Sequence, residues 1–294
     1  MGLMKFFKGL YSPREVEPAA DESDPEIALD SIVGSSQHRG PESTYRPAKV
    51  RDSVPQDDPV DEYLDVGIAF ATGGKYDQAL RCYNQAAELT PDNPLIYYNR
   101  AWVHGKKGDF DQAIADYTKA LRFDDRLAKA YINRGWAHAK VGRFDEAIED
   151  CSEAIKLDSK LFKAYVNRGW AHARKGDHEK ALANYNEAIR LNPKDGQAYV
   201  KRGWSYCEQG KANWAISSAS EAIRLDPYDP KAFECRGWAH YEEDKLDKAL
   251  ADLTEAIRLD PDQPDFYRRR AKVHRALGQA AESTQDEEKV RELS

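Results

Sequence analysis

A short motif recurs along this chain at a fixed interval. The tetrapeptide Gly-Trp-Ala-His begins at Gly135, Gly169 and Gly237, which are separated by 34 residues or a multiple of 34. Extended in both directions, this register gives repeats that start at residues 60, 94, 128, 162, 196, 230 and 264, with no insertion before Ser294. A repeat of this length is one supersecondary unit that cannot bury its apolar face alone, so neighbouring units must stack.

Each repeat, numbered 1 to 34, holds small or aromatic residues at fixed positions. Position 4 is aromatic in all seven repeats, position 8 is Gly or Ala, and position 20 is Ala in six of them. Apolar and small residues recur at helical spacing over two segments of about a dozen residues. Glycines such as Gly108 and Gly142 mark a turn between the two segments. We therefore predict two helices per repeat, which approach closely where positions 8 and 20 are small.

These columns resemble the tetratricopeptide repeat family over residues 60–294. The residues on which the resemblance rests include Tyr at position 4, Gly or Ala at position 8, Ala at positions 20 and 27, and Pro at position 32. The resemblance implies an all-α, right-handed superhelical solenoid of seven helix-turn-helix repeats, in which the first helix of each repeat lines a concave groove. It also implies a scaffold or adaptor that binds a protein or peptide segment in that groove.

Tryptophan occupies position 9 in five successive repeats and accounts for five of the six tryptophans in the chain. In the family, this position tends to face the groove. The rings are therefore predicted to anchor a partner, since exposed aromatic side chains mark interaction surfaces. The alternative interpretation is that each ring covers the small residue at position 12, such as Gly105 or Ala139. The column is Trp102, Trp136, Trp170, Trp204 and Trp238.

Basic residues accompany the tryptophans of repeats 2–4. They stand four residues after a Trp, on the same helix face, or at position 2, another groove-lining position. Glu208 and Glu242 follow the last two tryptophans instead. The pattern predicts a partner with acidic and apolar residues, although ordinary solvated charges would look alike. Besides the five tryptophans, the predicted groove residues are Tyr98, Lys106, Lys129, Lys140, Lys163 and Arg174.

Two further columns have structural interpretations. Histidine fills position 11 in five repeats, but successive helices lie on the order of 10 Å apart, whereas metal ligands must converge on one ion. We therefore expect packing histidines, with no metal or cofactor. Arginine fills position 7 in six repeats, and an Asp, Asn or Ser stands at position 23 of the same repeats. This co-occurrence predicts an ion pair across each helical hairpin.

The fifth repeat departs from the others. Ala212 and Ala219 replace aromatic residues, and Trp214 follows two positions after Ala212. We expect the Trp214 ring to fill the missing volume.

Several functions are disfavoured by the sequence. The family's clamp for C-terminal carboxylates is incomplete, because Trp stands at position 9 where the clamp needs Asn. The repeats leave only 59 residues, and no phosphate-binding loop, nucleophile elbow or zinc-protease motif occurs in the chain, so we expect no enzyme. A regulatory subunit of an enzyme complex remains an alternative.

Residues 1–59 are rich in Pro, Ser, Asp and Glu, a composition typical of a disordered tail. Its acidic-apolar stretch from Asp24 to Val33 could occupy the groove of the same chain. Its start, with Phe6, Phe7 and Leu10 beside Lys5 and Lys8, is an alternative membrane contact, although a frayed terminus is the simpler interpretation.

Net charge and cysteine spacing bear on the class of partner and on the cellular compartment. The net charge is −7, without the basic excess of a nucleic-acid footprint, so we expect no nucleic-acid partner. The four cysteines are far apart with no metal-site spacing, which suits a reducing compartment. We therefore predict a cytoplasmic location. The sequence does not define an oligomeric state.

Overall fold

The computed structural model describes residues 59–294, and every regular element within that range is an α-helix. The helices are α1 Pro59–Thr72, α2 Tyr76–Leu89, α3 Pro94–Lys106, α4 Phe110–Phe123, α5 Ala128–Lys140, α6 Phe144–Leu157, α7 Phe162–Arg174, α8 His178–Leu191, α9 Gly196–Glu208, α10 Ala212–Leu225, α11 Pro230–Glu242, α12 Leu246–Leu259, α13 Pro264–Ala276 and α14 Ala280–Leu293. Successive pairs form hairpins 1 to 7, and each hairpin packs against the next. The predicted all-α solenoid is therefore confirmed for these residues.

Some sequence predictions concern residues outside this range. The proposed tail, its acidic stretch Asp24–Val33 and the apolar start around Phe6 lie outside the described residues. Pro59 is the exception, because it opens α1 instead of closing the tail. None of the described helices is long and apolar enough to cross a membrane.

In each of the seven hairpins, a residue with a left-handed backbone conformation follows the first helix. Gly108 has φ +82°, and the N–H of the following Asp109 donates a hydrogen bond of 2.9 Å to the carbonyl of His104. This conformation costs glycine little, because glycine has no Cβ to clash with the backbone. In hairpin 6 the position is held by Asp244 with φ +57°, one of the few other residue types that tolerate it.

The two helices of a hairpin approach closely, as the small residues at positions 8 and 20 predict. A Cβ atom added at Gly135 on α5 would lie 3.1 Å from the carbonyl oxygen of Ala147 on α6 and 3.2 Å from Cβ of Asp150. Ala147 itself is 1% exposed. A larger side chain at either position would push the helices apart.

The predicted arginine pairs are present, and they reach further than predicted. Arg134 donates from Nε and Nη2 to the Asp150 carboxylate at 2.9 and 2.6 Å, within hairpin 3. Its Nη1 donates to Thr118 Oγ1 of hairpin 2 at 3.0 Å. The same two-way arrangement recurs at Arg100 and Arg236. Each such arginine therefore fixes its own hairpin and couples it to the preceding one.

Hairpin 5 lacks the charged partner. Arg202 donates to the hydroxyl of Ser218 at 3.2 Å, and in hairpin 4 Arg168 donates to the amide oxygen of Asn184 at 2.8 Å, so these two hairpins have a neutral hydrogen bond where hairpin 6 has an ion pair. The expected role of Trp214 is wrong, because that side chain is 64% exposed. The small buried cluster that contains Ala212 is instead packed against by Trp204, Tyr206, Ile216 and Trp238.

The histidine column packs against the same carboxylates. His138 Nε2 lies 3.9 Å from Asp150 Oδ2, and His240 Nε2 lies 3.9 Å from Asp252 Oδ2. Each ring therefore belongs to the polar layer of its own hairpin. Within residues 59–294, no three His, Cys, Asp or Glu side chains are grouped to hold a metal ion.

Removing the carboxylate partner of a position-7 arginine should destabilise the fold more than removing a neutral partner. We expect Asp150→Ala to lower the free energy of unfolding by about 3 kcal/mol, because Arg134 is left without its carboxylate. The matched variant Ser218→Ala should cost about 1 kcal/mol, since it removes a neutral acceptor. Urea unfolding followed by circular dichroism measures both, and equal losses would contradict a charged-layer contribution.

The histidines should make stability depend on pH. Burial lowers the pKa of His138 below 6.5, with Arg134 and Arg143 lowering it further and Asp150 and Glu146 opposing them. The folded chain then binds fewer protons than the unfolded chain near this pH. The contribution of His138 to the free energy of unfolding is therefore complete above about pH 6.5 and is lost as the pH falls.

Burial also lowers the pKa of His172 and His240. The urea concentration at the unfolding midpoint should therefore decrease as the pH is lowered from about 7.5 to about 5.5. The decrease should be smaller when His138, His172 and His240 are replaced by Gln. An unchanged pH dependence in that triple variant would contradict this assignment.

Candidate functional site

The five position-9 tryptophans lie on the first helices of hairpins 2–6 but differ in exposure. Trp102 and Trp136 are only 7% and 6% exposed. Trp170, Trp204 and Trp238 are half-buried. The column therefore divides into two rings set in the core and three that retain accessible surface.

Trp136 shows why the first rings are buried. It packs edge to face on Phe110 of hairpin 2, with ring centroids 5.3 Å apart. A Cβ at Gly105, also in hairpin 2, would lie 3.5 Å from its ring. The ring thus covers the small residue at position 12 of the preceding repeat, as the alternative interpretation of this column requires. Trp102 makes a similar edge contact with Tyr76, at 6.5 Å.

Tyr98 is also in the core. It is 7% exposed, its ring meets Tyr117 edge to face at 5.8 Å, and its hydroxyl accepts a hydrogen bond from Asn133 Nδ2 at 3.2 Å. Burial raises the pKa of Tyr98 to about 12, against a smaller opposing effect of Asn133. Its position on the first helix therefore provides packing between hairpins 2 and 3.

The predicted basic residues contact aromatic rings. Lys106 Nζ lies 5.6 Å from the Trp102 ring centroid, and Lys140 Nζ lies 5.4 and 5.9 Å from those of Trp136 and Trp170. Such cation–π contacts hold the ammonium groups over the ring faces.

The other three predicted basic residues are placed differently. Arg174 is exposed, and its guanidinium lies 5.4 Å from the Phe144 ring centroid. Lys129 on α5 and Lys163 on α7 are half-buried. Of these three, Arg174 alone lines the cavity described next.

A cavity of about 430 Å³ opens between hairpins 4 and 7. Its aromatic walls are Trp170 and Trp204, and most of its lining comes from the first helices α7, α9, α11 and α13. Its basic side chains are Arg174, Lys201, Lys231 and Arg269, and its acidic ones are Glu208, Glu234 and Asp265. The cavity brings together three of the predicted site residues, Trp170, Trp204 and Arg174, and lies further along the chain than the strip predicted on repeats 2–4.

Among the lining residues that sequence reasoning missed are two basic ones, Lys201 and Arg269. Both occupy position 6, where hairpins 2–4 have the buried residues Asn99, Asn133 and Asn167. Lys201 Nζ lies 5.7 Å from the Trp170 ring centroid. The change from Asn to a basic residue at this position is the sequence signal that could have indicated them.

Arg269 makes the longest-range contacts of the site. Its guanidinium carbon lies 4.4 Å from the Trp204 ring centroid and 4.8 Å from that of Trp238. Its Nε donates to Glu234 Oε1 at 2.8 Å. The last hairpin thereby reaches back across hairpin 6 to hairpin 5.

Solved structures with this architecture are known. A tetratricopeptide repeat protein from Parabacteroides merdae matches with TM-score 0.67 and 18% identity, covering 80% of this chain and 93% of that one. Pseudomonas aeruginosa pilF matches with TM-score 0.62 and 18% identity, covering 73% and 97%. The anaphase-promoting complex hetero-tetramer Cut9-Hcn1 matches with TM-score 0.66 and 20% identity, covering 73% of this chain but only 42% of that one. At these identities the likeness establishes the fold.

Sequence models identify the family. Models described as TPR repeat match residues 67–108 and 239–278, and models described as tetratricopeptide repeat match residues 94–126, 128–161, 162–195 and 184–217. The comparison with curated proteins gave no significant match to this chain. The fold and the groove define a helical-hairpin repeat protein.

Because these matches together cover more than half of the chain, it belongs to the tetratricopeptide repeat family. Its members bind protein or peptide partners, and the fold is typically a non-catalytic interaction scaffold.

Replacing a buried tryptophan should lower the free energy of unfolding more than replacing an exposed one. We expect Trp136→Ala to lower the free energy of unfolding by about 3–5 kcal/mol, because it empties a packed site between hairpins. Trp214→Ala, at the 64% exposed tryptophan, should change it by no more than about 0.5 kcal/mol. Urea unfolding of both variants provides the measurement. A small loss at Trp136 would mean that its ring does not stabilise the interface.

Proposed function

We propose that this chain binds a peptide or protein segment in its concave groove, centred on the cavity between Trp170 and Trp204. The single observation that carries the proposal is that cavity of about 430 Å³, with two half-buried indole walls. Ligand pockets combine such apolar walls with a few placed polar groups. Tryptophan is one of the residue types enriched among the side chains that dominate binding energy at protein interfaces.

The charges around the cavity support a partner with acidic and apolar residues. Arg174 and Lys201 flank Trp170, and Lys231 enters from α11. Carboxylates of a bound segment would pair with these cations while its apolar side chains cover the indole faces. The acidic side chains of the cavity lie towards hairpins 5–7, so the site also has a direction.

The earlier hairpins extend this surface. Lys106 and Lys140 place ammonium groups over Trp102, Trp136 and Trp170, and Lys129 and Lys163 lie half-buried on α5 and α7. Because little of Trp102 and Trp136 is exposed, we assign these two rings to packing. Partner contact on hairpins 2 and 3 then falls to Lys106, Lys129 and Lys140.

Loss of the two cavity indoles should weaken peptide binding without unfolding the array. Peptides selected by display against the immobilised full chain should be enriched in Asp, Glu and bulky apolar residues. Fluorescence anisotropy with a selected peptide should then show at least a tenfold weaker Kd for Trp170→Ala, Trp204→Ala, which is about 1.4 kcal/mol.

Two controls accompany this measurement. Trp214→Ala removes an indole outside the cavity and should leave Kd unchanged. Reversing the peptide's Asp and Glu to Lys should abolish binding if the cations of the groove select the ligand. Selected peptides that bind the double variant as tightly as wild type would place the binding site elsewhere.

A further inference from the structure

The guanidinium of Arg269 lies in a slot formed by other hairpins. Its two aromatic walls are Trp204 on α9 and Trp238 on α11, at 4.4 and 4.8 Å from the guanidinium carbon. Arg269 itself belongs to α13 of hairpin 7. The slot is therefore built by hairpins 5 and 6, and its occupant comes from outside them.

The polar side of the slot is Glu234. This residue is 4% exposed, and its Oε1 accepts a 2.8 Å hydrogen bond from Arg269 Nε. Glu242 adds negative character beside Trp238. Partial desolvation raises the pKa of Glu242, the Trp238 indole lowers it, Glu208 raises it and Arg269 lowers it. Two indole faces and a buried carboxylate are a combination suited to a planar cation.

We propose that the slot formed by Trp204, Glu234 and Trp238 is a binding subsite for the guanidinium of an arginine in the partner segment, and that Arg269 is a resident side chain which such an arginine replaces. The biological use of this subsite rests on the proposed function of the groove. The slot already holds the guanidinium of Arg269, and this indicates the kind of side chain that it can bind.

Replacement leaves the charge in the slot unchanged. An incoming guanidinium keeps Glu234 paired, so the exchange does not leave a buried carboxylate without a cation.

The slot is within reach of a segment bound between Trp170 and Trp204. Trp204, Glu234 and Arg269 all line the same cavity as Trp170. A partner could therefore place acidic residues near Arg174 and Lys201 and an arginine in the slot. This arrangement gives the groove a polarity, with its anion-binding part on hairpins 4 and 5 and its cation-binding part on hairpins 5 and 6.

The test uses small probes that carry the side-chain chemistry alone. N-acetyl-arginine amide is titrated into full-length wild type and Arg269→Ala, with N-acetyl-citrulline amide as the neutral isostere and N-acetyl-lysine amide as the ammonium analogue. Binding is followed by NMR of the indole N–H resonances of Trp204 and Trp238, assigned by single Trp→Phe variants. Arg269→Met, which keeps most of the aliphatic stem, is the second variant if Arg269→Ala does not fold.

We expect the arginine probe to shift both indole resonances in the Arg269 variant at a concentration at least tenfold lower than in wild type. The reason is that the resident guanidinium competes at an effective concentration in the millimolar range. Citrulline should cause no shift, and lysine should bind more weakly than arginine. Adding Glu234→Gln to the Arg269 variant should abolish the response.

The proposal is overturned if the arginine probe shifts neither indole in the Arg269 variant, or if citrulline shifts them equally. It is also overturned if wild type and variant respond at the same concentration, since Arg269 would then not compete for the slot. None of these results depends on the display-selected peptides. Failure of the guanidinium subsite is therefore distinguishable from failure of the proposed peptide groove.

Discussion

The close approach of the two helices in each hairpin is the constraint on which this structure depends. At Gly203 on α9, an added Cβ would lie 2.7 Å from Cys235 Sγ of the next hairpin and 3.5 Å from the Ala215 carbonyl oxygen of its own. One small residue therefore sets both the spacing within a hairpin and the spacing between hairpins. Because every repeat keeps a small residue at this position, successive first helices pack beside one another, and two of their position-9 indoles, Trp170 and Trp204, line one cavity.

The arginines of position 7 convert this geometry into coupling along the array. An arginine such as Arg134 binds an acceptor in its own hairpin and another in the preceding one. Stability in repeat arrays is approximately a sum of unit and nearest-neighbour contributions, so this residue contributes to both. Hairpins 4 and 5, where Asn184 and Ser218 replace the carboxylate, have neutral hydrogen bonds at this position, and they contribute Trp170, Trp204 and Lys201 to the cavity. The proposed binding site thus lies beside two hairpins that lack the ion pair.

The period gave the helices, the turns and the arginine pairs, because these depend on residues within one repeat or one register. The exposure of the tryptophans could not be obtained in this way. The burial of Trp136 depends on Phe110 and Gly105 of the preceding hairpin, whereas the cluster against which Trp238 packs has the small Ala212 at the position equivalent to Phe110. The expectation that Trp214 fills the missing volume is wrong for a similar reason, since side chains of a neighbouring hairpin can fill such a volume as well as those of the same helix.

The contacts of Arg269 show where the repeat pattern stops being informative. Position 6 is a buried Asn in hairpins 2–4 and packs between neighbours, as Asn133 does with Tyr98. In hairpin 7 the same position is an arginine long enough to cross hairpin 6 and reach Trp204. A residue type that recurs at one position can serve packing in one repeat and line the cavity in another, as Trp136 and Trp170 do, so the repeat pattern alone does not separate the two roles. Lys201 and Arg269 are informative in another way, because each departs from the Asn of position 6 and lines the cavity.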